Sequence, residues 1–330
     1  MNSLSRHARG LAVLFAVALW VGCAAAADFF GFPGARVHFA TVEEARLALG
    51  SDDEWLALTS DFHRAATVQT RPPVLAEQFR AFLASTARPW SEAQQLRWTK
   101  AMESLAPRFA ALNIRLPSEI QLVATDGRDA ADAPYTRGRT VFLPVGLSAG
   151  SYSDAELMAH ELFHVLSRQN PELATKLYAT IGFESSGPLA WPSSWAPLRI
   201  VNPDAPHDRH VMWIEGADGA RQAVMPVLMA SRARLQPGES FFSVMQTRLL
   251  AVTPGLDGQP TRPVLHEGLP VWRPAEQVDA YLMRLGGNTP YIIHPEETIA
   301  DNFAFLVSGR KVPNPDLLRR IEMVLLAQPR

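Results

Sequence analysis

His160, Glu161 and His164 stand in the order His-Glu-x-x-His within SDAELMAHELFHVLSRQ, a spacing that can do zinc chemistry. Positions four apart on a helix of about 3.6 residues per turn project from one face, so the two imidazoles can grip one ion. Glu161, next to the first of them, can lean over the same face and hold a zinc-bound water, taking its proton as general base. The surrounding residues are largely apolar, so two histidines and a glutamate here would be buried polar groups in need of partners. One zinc ion satisfies all three.

A catalytic zinc site needs a third protein ligand and an open position. Some sites of this type add a third histidine shortly downstream, but VLSRQNPEL after His164 has neither Gly nor His in place. A later stretch, HPEETIADNFAF, carries Glu297 and Asp301 four apart on one helical face. Together with HELFH it resembles the Glu-x-x-Ser/Ala-Asp element of the thermolysin-like zinc peptidases, the gluzincins. The resemblance implies that Glu297 is the third zinc ligand and that Asp301 accepts a hydrogen bond from the non-coordinating nitrogen of a ligand histidine, fixing its tautomer and orientation. Glu297 lies 133 residues after His164, farther than in thermolysin, so a sizeable insertion must fold between them. Glu184, only 20 residues after His164, is the rival ligand. Its segment breaks at once into Ser, Gly and Pro with no aspartate four residues on, which reads as loop or strand. Glu296 would point about 100° away from Glu297 around the helix.

The same resemblance implies a residue that stabilises the oxyanion of a tetrahedral intermediate. Tyr291, just ahead of the proposed ligand helix in TPYIIHPEE, is the expected one, with His294 the alternative. It also implies a strand beside the zinc helix, and PYTRGRTVFLP has the character to pair with an extended substrate backbone. His207 and His210, in APHDRH, are assigned no role.

These side chains must be delivered by several elements. Residues 41–112 carry helical patterning, with Ser91 as an N-cap for the last segment. Strand-like runs at 119–126 and 139–144 flank a turn-rich link. Ser153 and Glu156 have the spacing of a capping box opening the zinc helix, and Pro171 limits its far end. Residues 184–275 are rich in Pro, Gly and Trp with short alternating runs, and helical patterning returns from PAEQVDAYLMRLGG, with Pro295 near the first turn of the proposed ligand helix. The expected fold is α+β. An N-terminal helical lobe (28–115) precedes a zincin-like catalytic domain (116–330), whose β-rich insertion (about 184–275) lies between the zinc helix and the third-ligand helix.

Residues 1–27 read as a signal peptide: two arginines and no acid, then the apolar run Leu11 to Val21, then small residues before Asp28. About 11 apolar residues are too few for a helix that needs about 20 to cross a bilayer, so no transmembrane helix is expected in the mature chain. Cleavage after Ala27 gives a secreted or periplasmic protein; the alternative is a lipoprotein anchored through Cys23 in LWVGC. Cys23 is the only cysteine, which excludes an internal disulfide and cysteine zinc ligands. The formal net charge of −2, with Lys and Arg scattered, becomes −4 after residues 1–27 and excludes a nucleic-acid footprint. The expected activity is that of an exported zinc metallopeptidase holding one Zn²⁺ and acting on a peptide or protein substrate. Hydrolysis of a non-peptide substrate, or a zinc-stabilised envelope binding protein without turnover, are the competing expectations. Glu161 argues against the last, because a structural site needs ligands and no general base.

Overall fold

The structure, a computed structural model, describes residues 28–148, 150–215, 219–236, 239–256 and 258–328. The proposed signal peptide and Cys23 lie outside them. In chain order, strand β1 (Arg36–Phe39) leads into helices α1 (Val42–Leu49), α2 (Glu54–Leu58), α3 (Asp61–Val68), α4 (Ala76–Ser85) and α5 (Glu92–Ala111). Strands β2 (Glu119–Thr125), β3 (Tyr135–Arg137) and β4 (Thr140–Pro144) come next, followed by α6 (Asp154–Gln169) and α7 (Pro171–Ala179). The strands β5 (Phe183–Ser185), β6 (His210–Glu215), β7 (Arg221–Ala230), β8 (Met245–Thr253), β9 (Arg262–Pro263), β10 (Leu265–His266), β11 (Leu269–Pro270) and β12 (Trp272–Pro274) fill the expected insertion. Helices α8 (Asp279–Leu285), α9 (Pro295–Ser308) and α10 (Pro315–Leu326) close the chain. The architecture is mixed α/β, and no helix among the described residues is long and apolar enough to cross a membrane.

The first sheet has the order β1-β2-β4-β3, with β1, β2 and β4 parallel and β3 an antiparallel edge. Side chains alternate across a strand, so this sheet feeds two cores. Leu122, Val141 and Leu143 join the cluster formed with α5, α6 and α9, while Val123, Tyr135 and Phe142 join the cluster under α1 to α4. A boundary at residue 115 therefore does not separate two cores. β1 pairs with β2, and α5 contributes Trp98, Met102, Leu105 and Phe109 to the cluster that buries α6. Sequence patterning missed β1 because four residues are too few to show a period. The turn-rich link before β4 likewise contains β3, only three residues long.

The second sheet, β12-β8-β7-β6-β5, is antiparallel with β9 against β8. Met212, Ile214, Val224 and Leu249 pack from it into the main core; Trp195, Val211, Met225 and Leu250 form a cluster of their own. It brings the long β5–β6 connection, residues 186–209, back across the molecule. That connection is anchored far from its own strands: Trp55 donates to the Val201 carbonyl at 3.0 Å, and the Val201 N–H donates to His63 Nδ1 at 3.2 Å.

His63 is 5% exposed, edge-on to Trp55 and Phe241, and burial pushes its pKa down to about 3. The unfolded chain binds the proton first, near the ordinary value of 6.5, so stability is full above that pH and is lost as the pH falls toward 3. We expect this group to subtract about 1.4 kcal/mol of unfolding free energy per pH unit in that window. Urea unfolding at pH 7 and pH 5 measures it. His63→Asn, which keeps an acceptor for Val201 N–H but cannot titrate, should flatten the pH slope by that amount, and an unchanged slope would place the acid sensitivity elsewhere.

Candidate metal centre

α6 and α9 cross in the middle of the main core, and their facing sides carry the chemistry. α6 starts on the expected box: Ser153 Oγ accepts from Glu156 N at 3.1 Å, and Glu156 Oε2 accepts from Ser153 N at 2.7 Å. α9 has Pro295 at its first position, where a missing N–H costs nothing. His294 is its N-cap, with Nδ1 accepting from Glu296 N at 3.1 Å. Gly309 ends it at φ 74°, a left-handed conformation glycine adopts freely. Every residue of α9 from Pro295 to Val307 is buried, so its acids and amides must all find partners inside the protein.

The partners of Glu297 are the two histidines. Glu297 Oε2 lies 3.2 Å from His160 Nε2 and 3.7 Å from His164 Nε2, and the imidazole centroids are 4.7 Å apart at 81°. Ligand atoms about 2 Å from a tetrahedral zinc lie about 3.4 Å from one another, so these separations suit one ion. Each ring is held by its far nitrogen. His160 Nδ1 meets Asp301 Oδ1 at 2.8 Å, and His164 Nδ1 meets Glu296 Oε1 at 2.7 Å. A carboxylate only accepts, so each Nδ1 carries a ring hydrogen; His164 Nε2 is left with its lone pair toward Glu297, and His160 Nε2 faces Glu297 as a lone pair when a cation is bound and as a donor when the ring is protonated. His164 Nε2 is buried without a hydrogen-bond donor or acceptor to satisfy it. The cluster holds one positive charge at this point, either as a cation bound by all three atoms or as a proton that His160 Nε2 donates to Glu297, and His164 Nε2 stays unsatisfied unless a cation is bound.

The outer ring of partners is complete. Asp301 also accepts from Tyr152 at 2.8 Å and from Thr289. Glu296 accepts from Tyr178 and Ser167, and Asn202 donates to Glu297 Oε1. Burial alone would depress the His160 pKa, but hydrogen bonds to Asp301 and Glu297 carry it well above its ordinary value. Glu297 behaves inversely: burial opposes its charge, yet the two histidines and Asn202 hold it down at about 2. The cluster stabilises positive charge beside Glu297 whatever supplies it.

Glu161 is 2% exposed, and its Oε2 accepts from Thr136 Oγ1 at 2.8 Å. Burial pushes its pKa up to about 7, which suits a group that takes and returns a proton near neutrality. Its carboxylate groups with His164 and Asp204, their nearest oxygen and nitrogen atoms all within 4.8 Å. Tyr291 stacks on His160 with centroids 6.1 Å apart and 23° between the planes. Desolvation, and then the charges of Glu297 and Asp204, hold its hydroxyl protonated well above the ordinary range, so it is a donor.

The structure thus brings together His160, Glu161, His164, Glu297, Asp301 and Tyr291. His294 is occupied in capping α9. Glu184 is exposed on β5, accepting from Trp213 at 3.3 Å, and belongs to no group of ligand atoms among the described residues. His207 meets Glu54 at 2.8 Å, and His210 packs edge-on against Tyr178. Thr136, on the strand expected to pair with substrate, has no free backbone group: its N–H donates to Asp204 Oδ1 at 2.6 Å, and Arg168 donates to its carbonyl at 3.3 Å.

Three site residues were not foreseen. Glu296 does turn away from Glu297, but toward the second nitrogen of His164, because an imidazole offers a partner on each edge. Asn202 and Asp204 arrive on the β5–β6 connection, and their only sequence signal is the turn former in VNPDAP, where Asp204 N donates to Asn202 Oδ1 at 3.1 Å.

Residues 113–172 match a family model described as an eCIS core domain. The matched stretch spans β2, β3, β4 and the whole of α6, and stops well short of α9. No curated protein and no solved structure matches the chain.

Proposed function

We propose that the chain is an exported zinc-dependent metallopeptidase of the gluzincin type, with a zincin-like catalytic domain, in which His160, His164 and Glu297 hold one Zn²⁺. The observation that carries this reading is the convergence of two oriented Nε2 atoms and one carboxylate oxygen on a buried point where His164 Nε2 has no hydrogen-bond partner. Zinc bound there supplies Lewis acidity that polarises a scissile carbonyl and lowers the pKa of water.

The remaining chemistry belongs to the chain. Glu161 removes a proton from the attacking water and returns it to the leaving amine, and Thr136 fixes its carboxylate for both transfers. Tyr291 donates its hydroxyl hydrogen to the oxyanion that develops as the carbonyl becomes tetrahedral. Asp301 and Glu296 keep the two imidazoles in one tautomer and one orientation, and Asn202 does the same for Glu297. Export rests on the reading of residues 1–27 as a signal peptide.

Metal analysis of the purified protein, with peptide-library cleavage before and after chelation, tests the reading. One zinc per chain and chelator-sensitive cleavage are expected. A chain that takes up no zinc, or cuts equally well without it, would end the proposal.

A further inference from the structure

The side chains that converge at the metal centre are sealed off. His160 is 8% exposed, Glu161 2%, Glu297 1% and His164 not at all, yet a zinc that polarises a carbonyl needs a vacant position that substrate can reach. A cavity of about 470 Å³, walled by Trp55, Phe82, Leu228 and Phe241, stops one layer short of them. Asn202, Asp204 and Tyr291 line it, and none of His160, Glu161, His164 and Glu297 does.

Asp204 closes this layer in two ways. Its Oδ1 lies 4.0 Å from His164 Nε2, and it falls with Glu161 and His164 in one group of atoms within 4.8 Å of one another, so its carboxylate stands where a ligand would approach the orphaned nitrogen. The same Oδ1 accepts the Thr136 N–H at 2.6 Å, and Arg168 donates to the Thr136 carbonyl at 3.3 Å. Both backbone groups that an extended peptide would use at this point of the β3 edge are therefore taken.

The segment carrying Asp204 hangs between two fixed posts. Val201 before it is buried and held by Trp55 and His63, and Asp208 after it accepts from Trp191 at 3.0 Å and from Arg199 at 2.8 Å. Between them, hydrogen bonds tie residues 203–206 to the site: Asp204 to Thr136, and Arg168 to the carbonyls of Pro203 at 3.0 Å and Asp204 at 2.8 Å. A short segment held in this way can open locally while its ends stay in place.

We infer that residues 203–206 are a gate, closed in this state, which must swing off β3 before zinc enters and before a peptide can lie along that edge. Asn202, next to the pinned Val201, stays on Glu297, while Asp204 leaves and frees the Thr136 N–H for substrate. The inference rests on the zinc site proposed above and adds its control: opening of the gate limits access to it.

The test is stopped-flow zinc uptake by the metal-free full chain. The wild-type rate should level off as zinc is raised, because opening then becomes limiting. Asp204→Ala and Arg168→Met each remove part of the latch, and each should lift that plateau at least about 10-fold, the shift expected from losing a hydrogen bond to a charged group. Damage to the fold would not speed uptake into an intact site, and the wild-type measurement needs neither variant to fold. A wild-type rate that stays proportional to zinc over the whole range, or a plateau that neither variant raises, overturns the gate and leaves the zinc site standing. A wild-type chain that takes up no zinc overturns both.

Discussion

Glu161→Gln is expected to bind zinc like the wild type and to lose about 10²- to 10⁴-fold in turnover, the range a positioned general base contributes. The substitution is close to isosteric, and the new amide oxygen can still accept from Thr136 Oγ1, which at 2.8 Å is the contact that fixes the side chain. None of the atoms that converge on the proposed ion belongs to Glu161, so the zinc content should not change. Proton transfer alone is removed. Burial already lifts the Glu161 pKa to about 7, so the group is poised to exchange a proton at neutral pH, and an amide has no such equilibrium. Metal content and cleavage rate measured on one preparation decide the matter. Zinc-replete Glu161→Gln that still cuts at the wild-type rate would mean that another acid, Asp204 being the nearest, takes the proton.

The parts of this site that were legible in the sequence share a local cause. His160, Glu161 and His164 lie within five residues, and Glu297 and Asp301 within another five, so helical geometry alone fixes which of them share a face. The capping box at Ser153 and the proline at the start of α9 are equally local, and both helices begin where those residues place them. Relations across the chain were harder to read. β1 is four residues long and finds its place only by pairing with β2, more than eighty residues away. Asn202 and Asp204 sit in a proline-rich connection without periodicity, and reach the site because Trp55 and His63 hold Val201. The closed edge at Thr136 follows from that same connection, so a strand that reads as free from its composition is already engaged. Residues of an insertion contribute to a site when distant contacts pin the insertion in place, and a single sequence carries little trace of such contacts.

Glu297→Ala is expected to weaken zinc binding by more than about 100-fold, beyond the 10- to 100-fold typical of losing a residue that only orients a ligand. Glu296→Ala supplies the second figure in the same protein, since it removes the acceptor of His164 Nδ1 and leaves the three converging atoms in place. The order of the two effects is the informative result. If Glu297 is a ligand, its loss leaves two imidazoles and no charge on the protein side of the ion; if it only neutralises a protonated His160 at 3.2 Å, its loss should barely touch zinc. Thermal unfolding gives a second reading of the same equilibrium. A ligand present at 100 times its Kd stabilises the folded state by about 2.7 kcal/mol, so zinc should raise the wild-type Tm by several degrees and leave Glu297→Ala almost unmoved at that concentration. Comparing each protein with and without zinc cancels whatever the substitution does to the metal-free fold. Glu184→Ala, with its side chain exposed on β5 and outside the group of converging ligand atoms, should behave as wild type in both measurements. A Glu184→Ala protein that lost zinc while Glu297→Ala kept it would reverse the assignment of the third ligand.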